Sequence, residues 1–145
     1  MDAYFYIWLA GFVDGEGCIT FRRNRENGTV YPSLCVVNTC ESVVRYIRDI
    51  TGVGHVCRRR VDPNPKHRPV YEWHVDKRDD VIKLCLTLKP YLKVKHLQVE
   101  VILNWNADLY KYNEIGTAAV LFDNDRYFND MRQLNTKGGR TICLG

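Results

Sequence analysis

A chain of 145 residues has the length of one compact domain, and 46% hydrophobic with 26% charged residues is an ordinary globular balance. That excludes a disordered tail and a collagenous repeat, and the lack of any run of about 18 apolar residues excludes a membrane-spanning helix. The net charge is only +4, from 21 Lys and Arg against 17 Asp and Glu.

That charge is unevenly spread. Residues 55–69 carry Arg58, Arg59, Arg60, Lys66 and Arg68 against Asp62, residues 20–31 carry Arg22, Arg23 and Arg25 against Glu26, and residues 126–145 carry Arg126, Arg132, Lys137 and Arg140 against Asp130. Two readings stand: these stretches converge on a polyanion, or they are solvated loops. The six cysteines, at 18, 35, 40, 57, 85 and 143, contain no CxxC pair. Several sit in apolar patterns, as small hydrophobic residues of a reducing compartment do. His55, Cys57, His67 and His74 have the spacing of no compact zinc site.

In chain order, Asp2 is placed to cap a helix over residues 3–14, which Gly15 and Gly17 should stop. The acids flanking its apolar opening are wrong for a signal peptide, so a soluble, intracellular protein is expected. Residues 18–24 alternate, with Ile19 and Phe21 on one side and Thr20, Arg22 and Asn24 on the other, as in a half-buried strand. Asn27-Gly28 turns the chain into a second strand over 30–37. A helix should follow over 40–51, with Val43, Val44, Ile47 and Ile50 inward. Residues 55–60 and 70–75 pair as a second hairpin around a proline-containing loop that cannot join the ladder. Helices over 78–88, 95–112 and 117–134 and a basic tail complete the chain. The order α-β-β-α-β-β-α-α-α predicts an α+β fold: a four-stranded antiparallel curved sheet backed by helices, with further helices at the C-terminal end.

The informative segment is Leu9-Ala10-Gly11-Phe12-Val13-Asp14-Gly15-Glu16-Gly17. Gly11 and Gly15 share one helix face, and each costs a soluble helix about 1 kcal/mol relative to alanine. Close approach of a second backbone justifies that cost; for Gly15 alone a helix cap would also do. Glu16, expected just past the helix, lies where a helix already carries partial negative charge. Two such ends brought together would need cations, and carboxylate and carbonyl oxygens suit hard divalent metals. A lone Glu16 would instead be a solvated surface residue.

Leu9 to Gly17 resembles the LAGLIDADG signature of homing endonucleases, with Phe-Val replacing Leu-Ile and Gly-Glu replacing Ala-Asp. Gly52-Val53-Gly54 is similar to the family's helix-to-strand break, Leu88-Lys89-Pro90-Tyr91-Leu92-Lys93-Val94-Lys95 to its lysine-bearing stretch, and Arg132-Gln133-Leu134-Asn135 with the basic residues after it to the C-terminal helix and tail. The resemblance covers nearly the whole chain. It implies a site-specific endonuclease that makes a double-strand break in a long, near-palindromic DNA by hydrolysis with Mg²⁺ or another divalent cation such as Mn²⁺. Since only one motif is present, it implies a homodimer joined through the first helix, with Trp8, Gly11, Phe12 and Gly15 at the interface. Glu16 then corresponds to the metal-binding acid, the Gly15 carbonyl assists it, Lys95 lies near the scissile phosphate, and Asn38 positions a water. The Asn38 match can slide onto Thr39, and an ordinary capping role fits Asn38 equally well.

Strand parity is a separate check. Thr20, Arg22, Asn24, Tyr31, Ser33, Cys35, His55, Cys57, Arg59, Glu72 and His74 fall on one face of the expected sheet, suited to reading base edges in a major groove. Arg58, Arg60, Lys66, Arg68, Lys137 and Arg140 are the expected phosphate contacts. The other parity, including Ile19, Phe21, Leu34, Val36, Val56, Tyr71, Trp73 and Val75, is apolar and faces the helices. The alternative on the same fold is an RNA maturase or a non-cleaving DNA-binding protein, neither of which needs Glu16 or Lys95. A structural α+β domain would leave Gly11 and Gly15 unexplained.

Overall fold

The computed structural model describes residues 2–59, 63–115 and 123–136. Its elements are α1 (Ala3–Glu16), β1 (Gly17–Arg23), β2 (Val30–Asn38), α2 (Glu41–Thr51), β3 (His55–Arg58), β4 (Tyr71–Val75), α3 (Arg78–Leu88), α4 (His96–Ile115) and α5 (Asn124–Asn135). The strands form one antiparallel sheet in the order β1-β2-β4-β3, so each hairpin contributes one edge and β2 pairs with β4 at the centre. The fold is α+β, as the alternation of patterns implied. Among the described residues no helix is long and apolar enough to cross a membrane.

Helix α1 opens as expected, with Asp2 Oδ1 accepting from Tyr4 N at 3.0 Å. It ends later than expected. Gly15 continues the helix, so Glu16 belongs to the last turn rather than to the loop beyond it. Gly17 is the cap, in extended geometry. A side chain there would place its Cβ 2.7 Å from the Val13 carbonyl oxygen, so only glycine lets β1 leave so sharply. Gly54 is fixed twice over: its φ is +77°, and a Cβ would meet the His74 carbonyl oxygen at 2.6 Å.

The core lies between the apolar face of the sheet and α1, α3 and α4, with Leu9, Val13, Ile19, Leu34, Val36, Trp73, Leu88 and Ile102 fully buried. Trp73 is the largest of them, and its Nε1 donates to the Val53 carbonyl at 2.9 Å, so the indole is buried without stranding its N–H. On α2, Val44 and Ile47 face inward and Val43 is half-buried, but Ile50 is exposed, one turn on from the equally exposed Tyr46 and on the same side of the helix. Helix α4 begins at His96, one residue later than expected, and α5 begins at Asn124 rather than near 117; residues 117–122 lie outside the described residues. Strand β3 stops at Arg58, although Arg59 N still donates to the Val70 carbonyl at 2.8 Å.

Candidate active site and nucleic-acid interface

The C-terminal end of α1 meets the turn that leads into α4. The Asp14 carboxylate accepts from Lys93 N at 2.7 Å, Lys95 N at 3.0 Å and Val94 N at 3.2 Å. Lys95 Nζ returns the contact, donating to the Asp14 carbonyl at 2.6 Å. The ammonium therefore sits at the carbonyl end of α1, where a cation offsets the helix dipole. One carboxylate thus fixes the segment that carries the lysine, and the sequence reading gave Asp14 no such role.

This junction opens a cavity of about 320 Å³, walled by Asp14, Glu16, Cys18, Lys95, Gln98 and Asn135 among others. Glu16 and Lys95 are therefore brought to one pocket from positions 79 residues apart in sequence. Glu16 and Gly15 are exposed. Among the described residues no cluster of three or more His, Cys, Asp or Glu could hold a metal ion. Asn38 is placed elsewhere. It shares a rung with Tyr71, on the parity opposite to Cys35, and its Oδ1 accepts from Cys40 N at 2.8 Å in the turn that opens α2. That bond closes the turn before α2 and does not cap the helix, whose N-cap is Cys40 with no side-chain cap bond. The polar groups the sequence reading missed at this pocket are Gln98 and Asn135; the only local signal for Gln98 is its place one helical turn after Lys95.

The sheet's outer face has the expected parity. Thr20 pairs with Ser33, Arg22 with Tyr31, Cys35 with His74, His55 with His74, and Cys57 with Glu72. Directly opposed residues share a face. Cys18, not counted among the interface residues, joins this face through its pairing with Cys35. Cys35 hydrogen-bonds to it and pulls the Cys18 thiol below the usual range against the effect of burial, with Lys95 and Arg22 adding to the pull. The Cys35 thiol is correspondingly pushed up.

Depth divides the set. Arg22, Asn24, His55, Cys57, Arg58, Arg59, Lys66 and Arg68 are exposed, and Thr20 and Tyr31 are half-buried. Ser33, Cys35, Glu72 and His74 are buried beneath them. Arg59 Nε donates to Glu72 Oε2 at 2.7 Å, Glu72 Oε1 lies 2.9 Å from His74 Nδ1, and Arg22 Nε donates to Ser33 Oγ at 3.3 Å. Burial pushes the Glu72 carboxyl up, but its bonds from His74 and Arg59 outweigh that and hold it below the ordinary range. These buried groups steady two exposed guanidiniums from below. Arg60, Lys137 and Arg140 lie outside the described residues.

One face of α1 is largely open among the described residues, its one ring contact with another element being that of Trp8 with Tyr46 of α2, at 6.0 Å between centroids. Tyr4 and Trp8 are 84% and 40% exposed, Ile7 and Gly11 are exposed, and Phe12 is half-buried and stacked on Trp8 at 5.2 Å between ring centroids. A Cβ added at Gly11 or Gly15 would meet nothing within 4 Å. Among the described residues, packing thus does not require these glycines.

No protein-family model and no curated protein sequence matches the chain. Solved structures do. The homing endonuclease I-CvuI, in complex with the I-CreI target in the presence of Mg and with the DNA not cleaved, is 25% identical over 97% of this chain and 92% of its own, with a TM-score of 0.73. I-Vdi141I, an archaeal intron-encoded homing endonuclease complexed with DNA, shares the fold at 16% identity over 97% of this chain and 92% of its own, with a TM-score of 0.71. The LAGLIDADG meganuclease I-AabMI, bound to uncleaved DNA, matches 81% of this chain over 40% of its own length, at 17% identity and a TM-score of 0.58. The chain thus shares the fold of LAGLIDADG homing endonucleases, and the one segment that resembles their signature forms the end of α1.

Proposed function

We propose that the protein is a site-specific endonuclease for double-stranded DNA, working as a homodimer with Mg²⁺ or Mn²⁺. The observation that carries this reading is the continuity of α1: its glycine and aromatic face, largely open among the described residues, runs directly into Glu16, which shares a pocket with Lys95 beside the basic face of the sheet. The donor set fits a hard cation, since Glu16 offers carboxylate oxygens and Gly15 a helix-terminal carbonyl. One carboxylate per chain is too few to hold a divalent ion alone. Pairing α1 with its copy would supply the second. A bound divalent cation would activate water and stabilise the attacking and leaving oxygens of the phosphodiester.

The chain's own residues supply the rest. Asp14 locks the turn before α4, which sets the height of Lys95 above α1. Lys95 brings positive charge to the place where a phosphate would gain negative charge. Arg22 and Arg59, steadied by Ser33 and Glu72, suit base edges, while Arg58, Lys66 and Arg68 suit phosphates.

Selection of cleaved sites from a randomised DNA library in Mg²⁺ tests the reading. A long, near-palindromic consensus is expected. Recovery of no cleaved DNA, with enrichment of an RNA in a parallel binding selection, would favour the maturase. The dimer is tested by Gly11→Leu. A Cβ at Gly11 meets nothing within 4 Å among the described residues, and leucine is the better helix former by about 1 kcal/mol, so the protomer should stay folded. Sedimentation should show wild-type dimers and mutant monomers; a mutant dimer would remove α1 from the interface.

A further inference from the structure

Gln98 lines the Glu16 pocket from α4 and is only 3% exposed. Its Nε2 donates to Asn135 Oδ1 at 3.3 Å, and Asn135 Nδ2 donates to the Ile19 carbonyl at 3.1 Å. A main-chain carbonyl can only accept, so the orientation of Asn135 is settled, and Asn135 turns its oxygen toward Gln98. That oxygen in turn requires the amino end of Gln98. The remaining Gln98 atom, Oε1, is therefore an acceptor, and among the described residues it is buried with no hydrogen-bond donor. Such a group carries a desolvation cost with nothing to offset it. Being shielded from bulk solvent, it calls for a donor delivered as a bound molecule.

We propose that Gln98 is a positioning residue of this site, its Oε1 accepting a hydrogen bond from water in the shell of a divalent cation held at Glu16. The inference rests on the endonuclease reading above. Mg²⁺ gives up water reluctantly and keeps several in its shell, so the site needs acceptors as well as ligands. An amide oxygen orients such a water without adding charge to a pocket that already contains Glu16 and the carbonyl end of α1. The anchor of the amide is α5, through Asn135, so the end of α5 is tied to the chemistry as well as to the packing of β1. Asn38, the sequence candidate for orienting water, has its Oδ1 committed to Cys40 N.

The test uses the full chain with Gln98→Met, which removes both polar atoms at similar length, and Gln98→Glu, which keeps an oxygen at the acceptor position but loses the donor to Asn135 Oδ1. Mn²⁺ affinity of the protein–DNA complex is read by electron paramagnetic resonance, DNA affinity in Ca²⁺ by fluorescence anisotropy, and single-turnover cleavage in Mg²⁺. Outer-shell partners are typically worth about 10–100-fold in metal affinity or activity. Gln98→Met should therefore lose about tenfold or more in Mn²⁺ affinity and in cleavage rate, with DNA affinity within about twofold, and Gln98→Glu should recover the Mn²⁺ affinity. If Gln98→Met binds Mn²⁺ and cleaves like the wild type, the inference falls and the endonuclease reading stands. A wild-type complex that binds no Mn²⁺, with Glu16→Gln indistinguishable from it, overturns both.

Discussion

Replacing Glu16 by glutamine should stop DNA cleavage while leaving DNA bound. The substitution keeps the shape of the side chain and an oxygen at its end, and removes only the charge. In a homodimer it removes that charge twice, from the two carboxylates proposed to hold the cation. A loss of at least about a thousandfold in single-turnover rate is expected, which corresponds to roughly 4 kcal/mol of transition-state stabilisation. DNA affinity measured in Ca²⁺ should change by no more than a few fold. Glu16 lies at the end of α1, whereas Arg22, Arg58, Arg59, Lys66 and Arg68 lie on the two hairpins and their loop. Two controls give the result its meaning. Glu16→Asp keeps the charge and should retain measurable cleavage, because it restores the acid found in the signature that the segment resembles. A circular dichroism melt of Glu16→Gln should match the wild type, since the side chain is exposed and makes no hydrogen bond within the described residues. Cleavage by Glu16→Gln at the wild-type rate would remove Glu16 from the reaction and with it the proposed cation site.

What could be read from the sequence was what local periodicity encodes. The alternation of Ile19 and Phe21 with Thr20 and Arg22 survives intact as the two faces of β1, because a strand's faces follow from its pleat alone. Asp2 caps α1 for a similarly local reason. The end of α1 was misjudged because a glycine pair in sequence does not say which glycine leaves the helix. The answer lies in the approach of Gly17 to Val13, a three-dimensional contact. Depth on the sheet was likewise hidden. Parity puts Ser33, Glu72 and His74 on the outer face, but only the side chains of Arg22 and Arg59 reaching across to them show that they serve from beneath. Ile50 shows the opposite error: an apolar residue was placed inward, yet it lies one turn from Tyr46 on the exposed side of α2. At the pocket, Glu16 and Lys95 were legible from the motif and the lysine-bearing stretch. Gln98, Asn135 and the role of Asp14 were not, because each depends on a partner far away in sequence.

Asp14→Ala should damage both stability and cleavage, for reasons that separate in experiment. Three backbone N–H groups before α4 lose their acceptor, and Lys95 loses the geometry of the turn that presents it. Net hydrogen-bond contributions of about 1 kcal/mol each, in a junction only partly buried, predict a loss of about 2–3 kcal/mol. For a chain of this size that lowers Tm by several degrees. Asp14→Asn divides the effect. Its side-chain oxygen can still accept from the turn, so much of the stability should return. Its charge does not return, and the positive end of α4 then lacks the anion that now faces it. If Asn restores the melting temperature and cleavage together, Asp14 acts only by holding the turn that carries Lys95. If it restores the melting temperature alone, the negative charge between α1 and α4 itself sets the electrostatics of the pocket. Full cleavage by Asp14→Ala at a temperature where the mutant is folded would show that Lys95 reaches its working position without this junction between α1 and the turn before α4.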